Sequence, residues 1–316
     1  MRLFDQAKYS FIEGRRKAYV FSATLILVGI GAMIYNVVSI GSWQDYGVDF
    51  TGGFLIQVQF DEPATAGQLR GVLDDSQITR FGDANEFTIR APLGNDNVET
   101  VRERIQGQLQ TEFGNGTFTI VRTETVTPKI GEELQQKAGL AILYSFILTL
   151  IYIAIRFELR FGLAAVIATA HDILITLGFL ALFRVEIALP TVAAILTIVG
   201  YSLNDTIVVF DRIRENLNAK GGRREDPKVL VNRSINETLP RTVLTSGTTL
   251  AVLVALLVVG GVVIRDFTVV LILGVLVGTY SSIFVAAPAL LEIQKRFGDG
   301  TASWERRKKR GAQVPT

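Results

Sequence analysis

Six apolar runs, each of about 20 residues or more, dominate the sequence, and at helical rise a run of that length crosses a hydrocarbon core roughly 30 Å thick. They extend from Ala18 to Ile40, Leu134 to Ile155, Phe161 to Phe183, Ile187 to Phe210, Val243 to Ile264 and Phe267 to Leu291. A soluble enzyme could also be 49% hydrophobic, but the concentration of that share into blocks argues against one. The predicted architecture is a polytopic α-helical membrane protein with six transmembrane helices. The first run is too long for a signal-peptide core and no small-residue cleavage site follows it, so it reads as a retained helix.

Basic residues flanking the runs orient them. Arg15, Arg16 and Lys17 precede the first, Arg156 and Arg160 lie between the second and third, and eight Lys and Arg residues from Arg212 to Arg241 join the fourth and fifth. Lys295, Arg296 and the run Arg306 to Arg310 follow the last, whereas the opposite turns carry only Arg184 and Arg265. The expected order is therefore a cytoplasmic N-terminus (residues 1–17), span one (18–40), an extracytoplasmic domain (41–133), five further spans (134–291) with a cytoplasmic loop (211–241), and a basic cytoplasmic tail (292–316). A net charge of +2 gives no reason to expect nucleic acid; the basic clusters abut spans and face lipid headgroups instead. With no cysteine, there is no disulfide, thiolate metal site or Cys nucleophile.

Within residues 41–133 the pattern changes to short alternating runs. VDFTGGFLIQVQF reads as a strand, TAGQLRGVLDD as a helix, QITRFG and EFTIRAP as strands around Asp83, Ala84 and Asn85, NDNVETVRERIQGQLQTEF as a helix and TFTIVRTETV as a strand. That order, βαββαβ, predicts an inserted α+β domain of the ferredoxin-like kind, with two helices on one face of an antiparallel sheet. It carries no metal-spaced cluster, nucleophile and base pair or phosphate-binding glycine pattern, so binding is expected of it and catalysis is not. Gly47, Gly52 and Gly53 around Asp49 mark a close backbone approach or, more blandly, a strand kinked where it leaves the membrane.

Ionisable residues inside a span cost roughly 2.5 to 3.5 kcal/mol each on insertion scales and so require a partner or a purpose. His171, the only histidine, and Asp172 sit in the third run, Asp205 follows Asn204 in the fourth, and Arg241 opens the fifth. Tyr201, Ser202, Thr197 and Thr206 give the Asp205 helix a polar stripe, and Arg241, Thr245, Thr248 and Thr249 recur at helical spacing as a second. The two stripes are expected to meet. Asp205 could instead cap a helix break near Gly200, Arg241 could be a snorkelling anchor beside Pro240, and His171 with Asp172 could be a buried pair that only fixes packing. Together the four residues have what a proton relay requires: groups whose charge changes beside one whose charge does not. Gly274 and Gly278, in a G-x-x-x-G frame with Ser281, Ser282 and Ala286 beyond, allow close helix approach within the chain or to a partner. DRIRENLNAKGGRRE reads as a basic amphipathic helix at the headgroups.

GVDFTGG after the first run, HDILITLGF in the third, GYSLNDTIVVFDRIREN ending the fourth, and Arg241 through TSGTTL opening the fifth occur in an order and spacing that chance does not produce. On these segments, with the weaker VTPKIGEEL, the chain resembles the SecF family, the smaller membrane subunits of the bacterial SecD/SecF accessory complex of the Sec translocase. The resemblance implies a member of the resonance-nodulation-division superfamily in the bacterial inner membrane that hydrolyses no ATP, needs no cofactor and uses the proton gradient to draw preproteins outward. It further implies SecD as partner, the SecYEG translocon and unfolded preproteins as further contacts, and proton passage at Asp205 and Arg241, with a less defined role for His171 and Asp172. Two other readings stand beside it: a scaffold that transduces nothing, and a small-molecule exporter, disfavoured because exporters of that superfamily usually carry two repeats and larger outer domains.

Overall fold

The computed structural model describes residues 8–73, 76–80, 85–92, 96, 98–126, 128–219, 225–261 and 264–297. Six helices among them are long and apolar enough to span a bilayer. In chain order the helices and strands are α1 (Arg15–Ile40), α2 (Val48–Thr51), β1 (Gly53–Phe60), α3 (Ala66–Val72), β2 (Gln77–Arg80), β3 (Glu86–Pro92), α4 (Val98–Phe113) and β4 (Phe118–Val126). There follow α5 (Pro128–Arg156), α6 (Leu159–Phe183), α7 (Leu189–Asn218), α8 (Pro227–Val259), α9 (Arg265–Ser281), a π-helical turn (Ser282–Ala286) and α10 (Ala287–Phe297). The last span thus combines α9, the π turn and α10.

Helices α6, α7 and α9 form the centre, with α1 and α5 packed on α6 and α8 packed on α7 and α9. Glycine sets the closest approaches. A Cβ on Gly29 would fall 2.6 Å from Gly178 Cα, which brings the α1 and α6 backbones into contact. A Cβ on Gly274 would fall 2.1 Å from Ile198 Cγ1, and one on Gly278 3.0 Å from Ser202 Cβ. The G-x-x-x-G frame is therefore an internal seam between α9 and α7.

The small domain pairs its strands in the order β2-β3-β1-β4, all antiparallel. Each helix joins two strands that have a third inserted between them: α3 leads from β1 to β2 around β3, and α4 leads from β3 to β4 around β1. Phe54, Ile56 and Val58 alternate inward on β1 and meet Phe87 and Ile89 of β3, Leu69 of α3, and Val101, Ile105 and Leu109 of α4. Thr65 starts α3 with a reciprocal cap: its N–H donates to Gln68 Oε1 at 2.9 Å and its Oγ1 accepts from Gln68 N–H at 3.3 Å. On β4 the register slips between Gln57 and Val58 of its partner, leaving Val121 as the extra residue of a bulge.

Several boundaries differ from expectation. Val48–Thr51 is a helical turn and the strand begins at Gly53, because Gly52 adopts φ +75° and turns the chain sharply there. The segment 211–241 between spans four and five is mostly helix, as the stretch beginning at Asp211 was expected to be: α7 runs on to Asn218, and α8 begins at Pro227 with Asp226 Oδ1 accepting from Lys228 N–H at 2.9 Å. Polar contacts between the two extensions, such as Arg212 Nε to Glu237 Oε2 at 2.8 Å and Asn216 Nδ2 to Ser234 Oγ at 2.9 Å, hold them together beyond the apolar runs. The fifth apolar run was expected to reach Ile264; α8 stops at Val259, with Gly260 as its C-cap and Gly261 at φ +73°. Asp83, Ala84 and the run Arg306 to Arg310 lie outside the described residues.

The N-terminal segment is held down as well. Asn236 accepts from Tyr9 N–H and donates to Tyr9 O, both at 2.9 Å, and Asn232 Nδ2 donates to the same carbonyl at 2.8 Å. These contacts, with Arg15–Glu292 and Arg156–Asp211, gather the basic flanks at the end of the helices away from the small domain.

Residues 43–128 alone should unfold in one cooperative urea transition followed by circular dichroism, with Phe87→Ala lowering its stability by about 3 kcal/mol or more through the cavity left under the sheet. A fragment with no cooperative transition would show that contacts with the membrane helices hold it.

Candidate functional site: two carboxylates on either side of the central helix pair

Asp172 is fully buried at the junction of four helices. Its Oδ2 accepts from Ser202 Oγ of α7 at 2.5 Å and from Ser281 Oγ of α9 at 2.7 Å. Its Oδ1 lies 2.9 Å from Nδ1 of His171, whose Nε2 lies 2.9 Å from Ser22 Oγ on α1. Ser22 continues to Tyr280 OH at 3.2 Å, which donates to Ala18 O at 2.9 Å. Each polar atom along this line has a partner, as a buried network in a dry setting requires. Immediately after Ser281 comes the π turn, a departure from regular helix often associated with functional positions.

Asp205 forms a second centre. Ser246 Oγ of α8 lies 3.3 Å from Asp205 Oδ2 and 2.6 Å from Thr279 Oγ1 of α9, and Thr279 donates to Val275 O at 2.7 Å. Asp205, Ser246 and Thr206 are all nearly inaccessible to solvent. Helix α7 continues through Gly200 without interruption, so Asp205 is not a cap at a helix break.

The two centres share two helices. On α7, Ser202 serves Asp172 while Asp205, three residues on, meets Ser246; on α9, Ser281 serves Asp172 while Thr279 serves Ser246. Gly278 lies beside Ser202 and lets both sets of contacts form at once. A slide of α9 along α7 would change both together.

Two expectations are corrected. Ser202 binds Asp172, and so does not belong to a stripe around Asp205. The Arg241 stripe of α8 does not face α7: Arg241 and Thr248 are exposed, and Thr245, Thr248 and Thr249 donate to carbonyls of their own helix at 2.9 to 3.0 Å. The inward face is the next one round, carrying Thr242, Ser246 and Leu253. On α7, Asn204 and Thr197 are exposed, and the Tyr201 hydroxyl is buried without a hydrogen-bond partner. The sequence gives no sign of Ser246 and Ser281 as partners of the carboxylates, or of Ser22, Thr279 and Tyr280 as the next groups along the two lines. Single hydroxyls in apolar helices carry no signal in one sequence, although Ser246 and Ser281 fall within segments already singled out.

Among the described residues no group of His, Cys, Asp and Glu is arranged to hold a metal ion. The connection to the small domain is built by the segment around Asp49, whose Oδ2 accepts from Leu189 N–H at 3.0 Å at the first turn of α7.

Comparison with known proteins places this geometry in a family. Residues 105–296 match the family model for the C-terminal region of the SecD/SecF protein export membrane proteins, and residues 45–64 match the SecD/SecF GG motif. The protein translocase subunit SecF of Gemmatimonas aurantiaca is 46% identical over 308 residues, covering 94% of this chain and 90% of that one. The SecF subunit of Desulfurispirillum indicum is 44% identical over 294 residues, covering 90% and 91% respectively. The crystal structure of SecDF, a translocon-associated membrane protein from Thermus thermophilus, is 37% identical with a TM-score of 0.77 over 93% of this chain, which spans only 40% of that longer one. On these matches the chain belongs to the SecD/SecF family of protein-export membrane proteins, on its SecF side.

Proposed function

We propose that the chain works with a SecD subunit beside the SecYEG translocon of a bacterial inner membrane, where proton passage at Asp205 promotes late steps of preprotein translocation and no cofactor or covalent chemistry is needed. The accessory role and the SecD partner rest on the family. Proton coupling rests on one observation, the hydroxyl chain from Asp205 through Ser246 and Thr279 to Val275 O.

Each hydroxyl in that chain has one hydrogen to give. A protonated Asp205 donates to Ser246, Ser246 to Thr279, and Thr279 to Val275 O, so every hydrogen is used in one direction. An ionised Asp205 has none to give. Ser246 must then turn its hydrogen from Thr279 to the carboxylate, which alters the contact between α8 and α9. Proton uptake at one carboxylate thus becomes a change between helices. The shared helices α7 and α9 carry that change to the Asp172 and His171 network, which completes the relay.

Arg241 supplies the charge that does not titrate. Arg241 and Thr248 are exposed on α8 and Asn204 is exposed on α7, and polar side chains so placed would be costly in lipid but not beside a second membrane subunit. We assign that surface to the SecD side. Each proton carried through the field gains roughly 2.3 kcal/mol per 100 mV, enough to bias a two-state movement but not to unfold a stable substrate.

Asp205→Asn keeps size and hydrogen bonding while removing the titratable group. It should insert normally and co-purify with SecD but lose the gradient-dependent part of export in sealed vesicles, and Arg241→Met should do the same. Export at the unmodified rate by both variants would make these residues structural. The same reading, from the flanking basic residues, puts the small domain on the outer side and both termini in the cytoplasm: a cysteine introduced at Thr117 should react with an impermeant reagent outside intact cells and one at Ala219 should not, whereas labelling at Ala219 would reverse the orientation.

A further inference from the structure

The small domain meets the membrane helices at a joint that neither carboxylate centre uses. Gly47 N–H donates to Ile187 O at 2.9 Å and Ile187 N–H donates to Asp45 O at 2.7 Å, a two-bond bridge between the segment after α1 and the turn before α7. Asp49 caps α7 through Leu189 N–H. From the sheet, Arg90 Nη1 of β3 reaches Glu186 Oε2 at 3.3 Å. The Glu186 side chain is only 10% exposed, and a Cβ on Gly47 would stand 2.1 Å from its Oε1. Glycine at 47 leaves the space that this carboxyl fills.

We propose that Glu186, Arg90 and Asp49 form a joint that holds the small domain in one orientation on the end of α7 and loosens when Glu186 is ionised. Other charged groups facing Glu186 are Asp45 and Asp49 of the connecting segment and Asp266 at the start of α9, so Arg90 opposes three carboxyl groups. Arg184 lies beside Asp45. Burial pushes the Glu186 carboxyl above the usual glutamate range; Arg90 pulls it down and the three neighbouring acids push it up.

The sign follows by linkage. A group that holds its proton more tightly in the docked state than in a detached, solvated one favours docking as pH falls and opposes it as pH rises through the raised value. Acid on the side of the small domain therefore closes the joint, and alkali loosens it. The Asp49 cap is the second hold, and it ties the domain to the helix that carries Asp205. The proposal concerns domain orientation in the purified chain and does not depend on the export mechanism.

Because the chain has no native cysteine, nitroxides can be attached at cysteines replacing Thr111 on α4 and Leu182 on α6, both exposed. Distances are then measured by pulsed electron paramagnetic resonance on the full chain in nanodiscs. The expected result is one narrow distance in acidic buffer and a second population growing several-fold as pH rises. Glu186→Gln should stay narrow at every pH, and Asp49→Ala should be broad at every pH. Should Asp49→Ala fail to fold, the nearly isosteric Glu186→Gln carries the test. A pH-independent distribution in the unmodified chain, or an unchanged pH response in Glu186→Gln, overturns the proposal.

Discussion

The hydrogen bonds that hold both buried carboxylates depend on how closely α9 approaches α7. Gly274 admits the Ile198 side chain and Gly278 admits Ser202; any larger residue would push the helices apart, and packed interiors tolerate little of that. With the seam closed, Ser281 and Ser202 converge on one oxygen of Asp172, while Thr279 comes within 2.6 Å of Ser246 beside Asp205. A seam formed from small residues and hydroxyls can slide at low cost. A seam of interlocked leucines could not, and for a subunit read as converting proton uptake into movement that difference matters.

Most of the architecture was legible in the sequence, and the reasons differ from element to element. The apolar runs announce spans because the bilayer sets a length, and the alternation of Phe54, Ile56, Val58 and Phe60 announces a strand because the sheet has two faces. Asp172, His171 and Asp205 were legible because charge at membrane depth is rare. Their partners were not. Ser22 and Ser246 are unremarkable in a helix until the neighbouring helix is placed against them, and the periodicity that singled out Arg241, Thr245 and Thr248 identified a polar stripe but not its direction. The stripe faces outward because threonine can satisfy its hydroxyl on its own helix, as Thr245 and Thr248 do, and so needs no neighbour. Val48–Thr51 was misread as strand because one turn of helix is shorter than any periodic signal.

The connection between the domains repeats the same economy of contacts. Asp49 bonds a free N–H at the start of α7, and on the same helix Asp205 lies 16 residues on, about 24 Å at the usual rise. Helix α7 thus carries the cap for the small domain at its first turn and the Asp205 carboxyl about four turns further along, so a movement of the whole helix would be felt at both. The carboxyl proposed to pass protons and the cap that ties down the small domain thus lie on one helix.

Proton flux tests this account most directly. Sealed vesicles containing the chain with its SecD partner and a pH-sensitive dye inside should, when a gradient is imposed, take up protons faster than protein-free vesicles. Asp205→Asn should reduce uptake to the protein-free level and Ser246→Ala should slow it, since removing that hydroxyl breaks the chain to Thr279. Uptake by the Asp205→Asn vesicles at the rate of the unmodified protein would contradict the account.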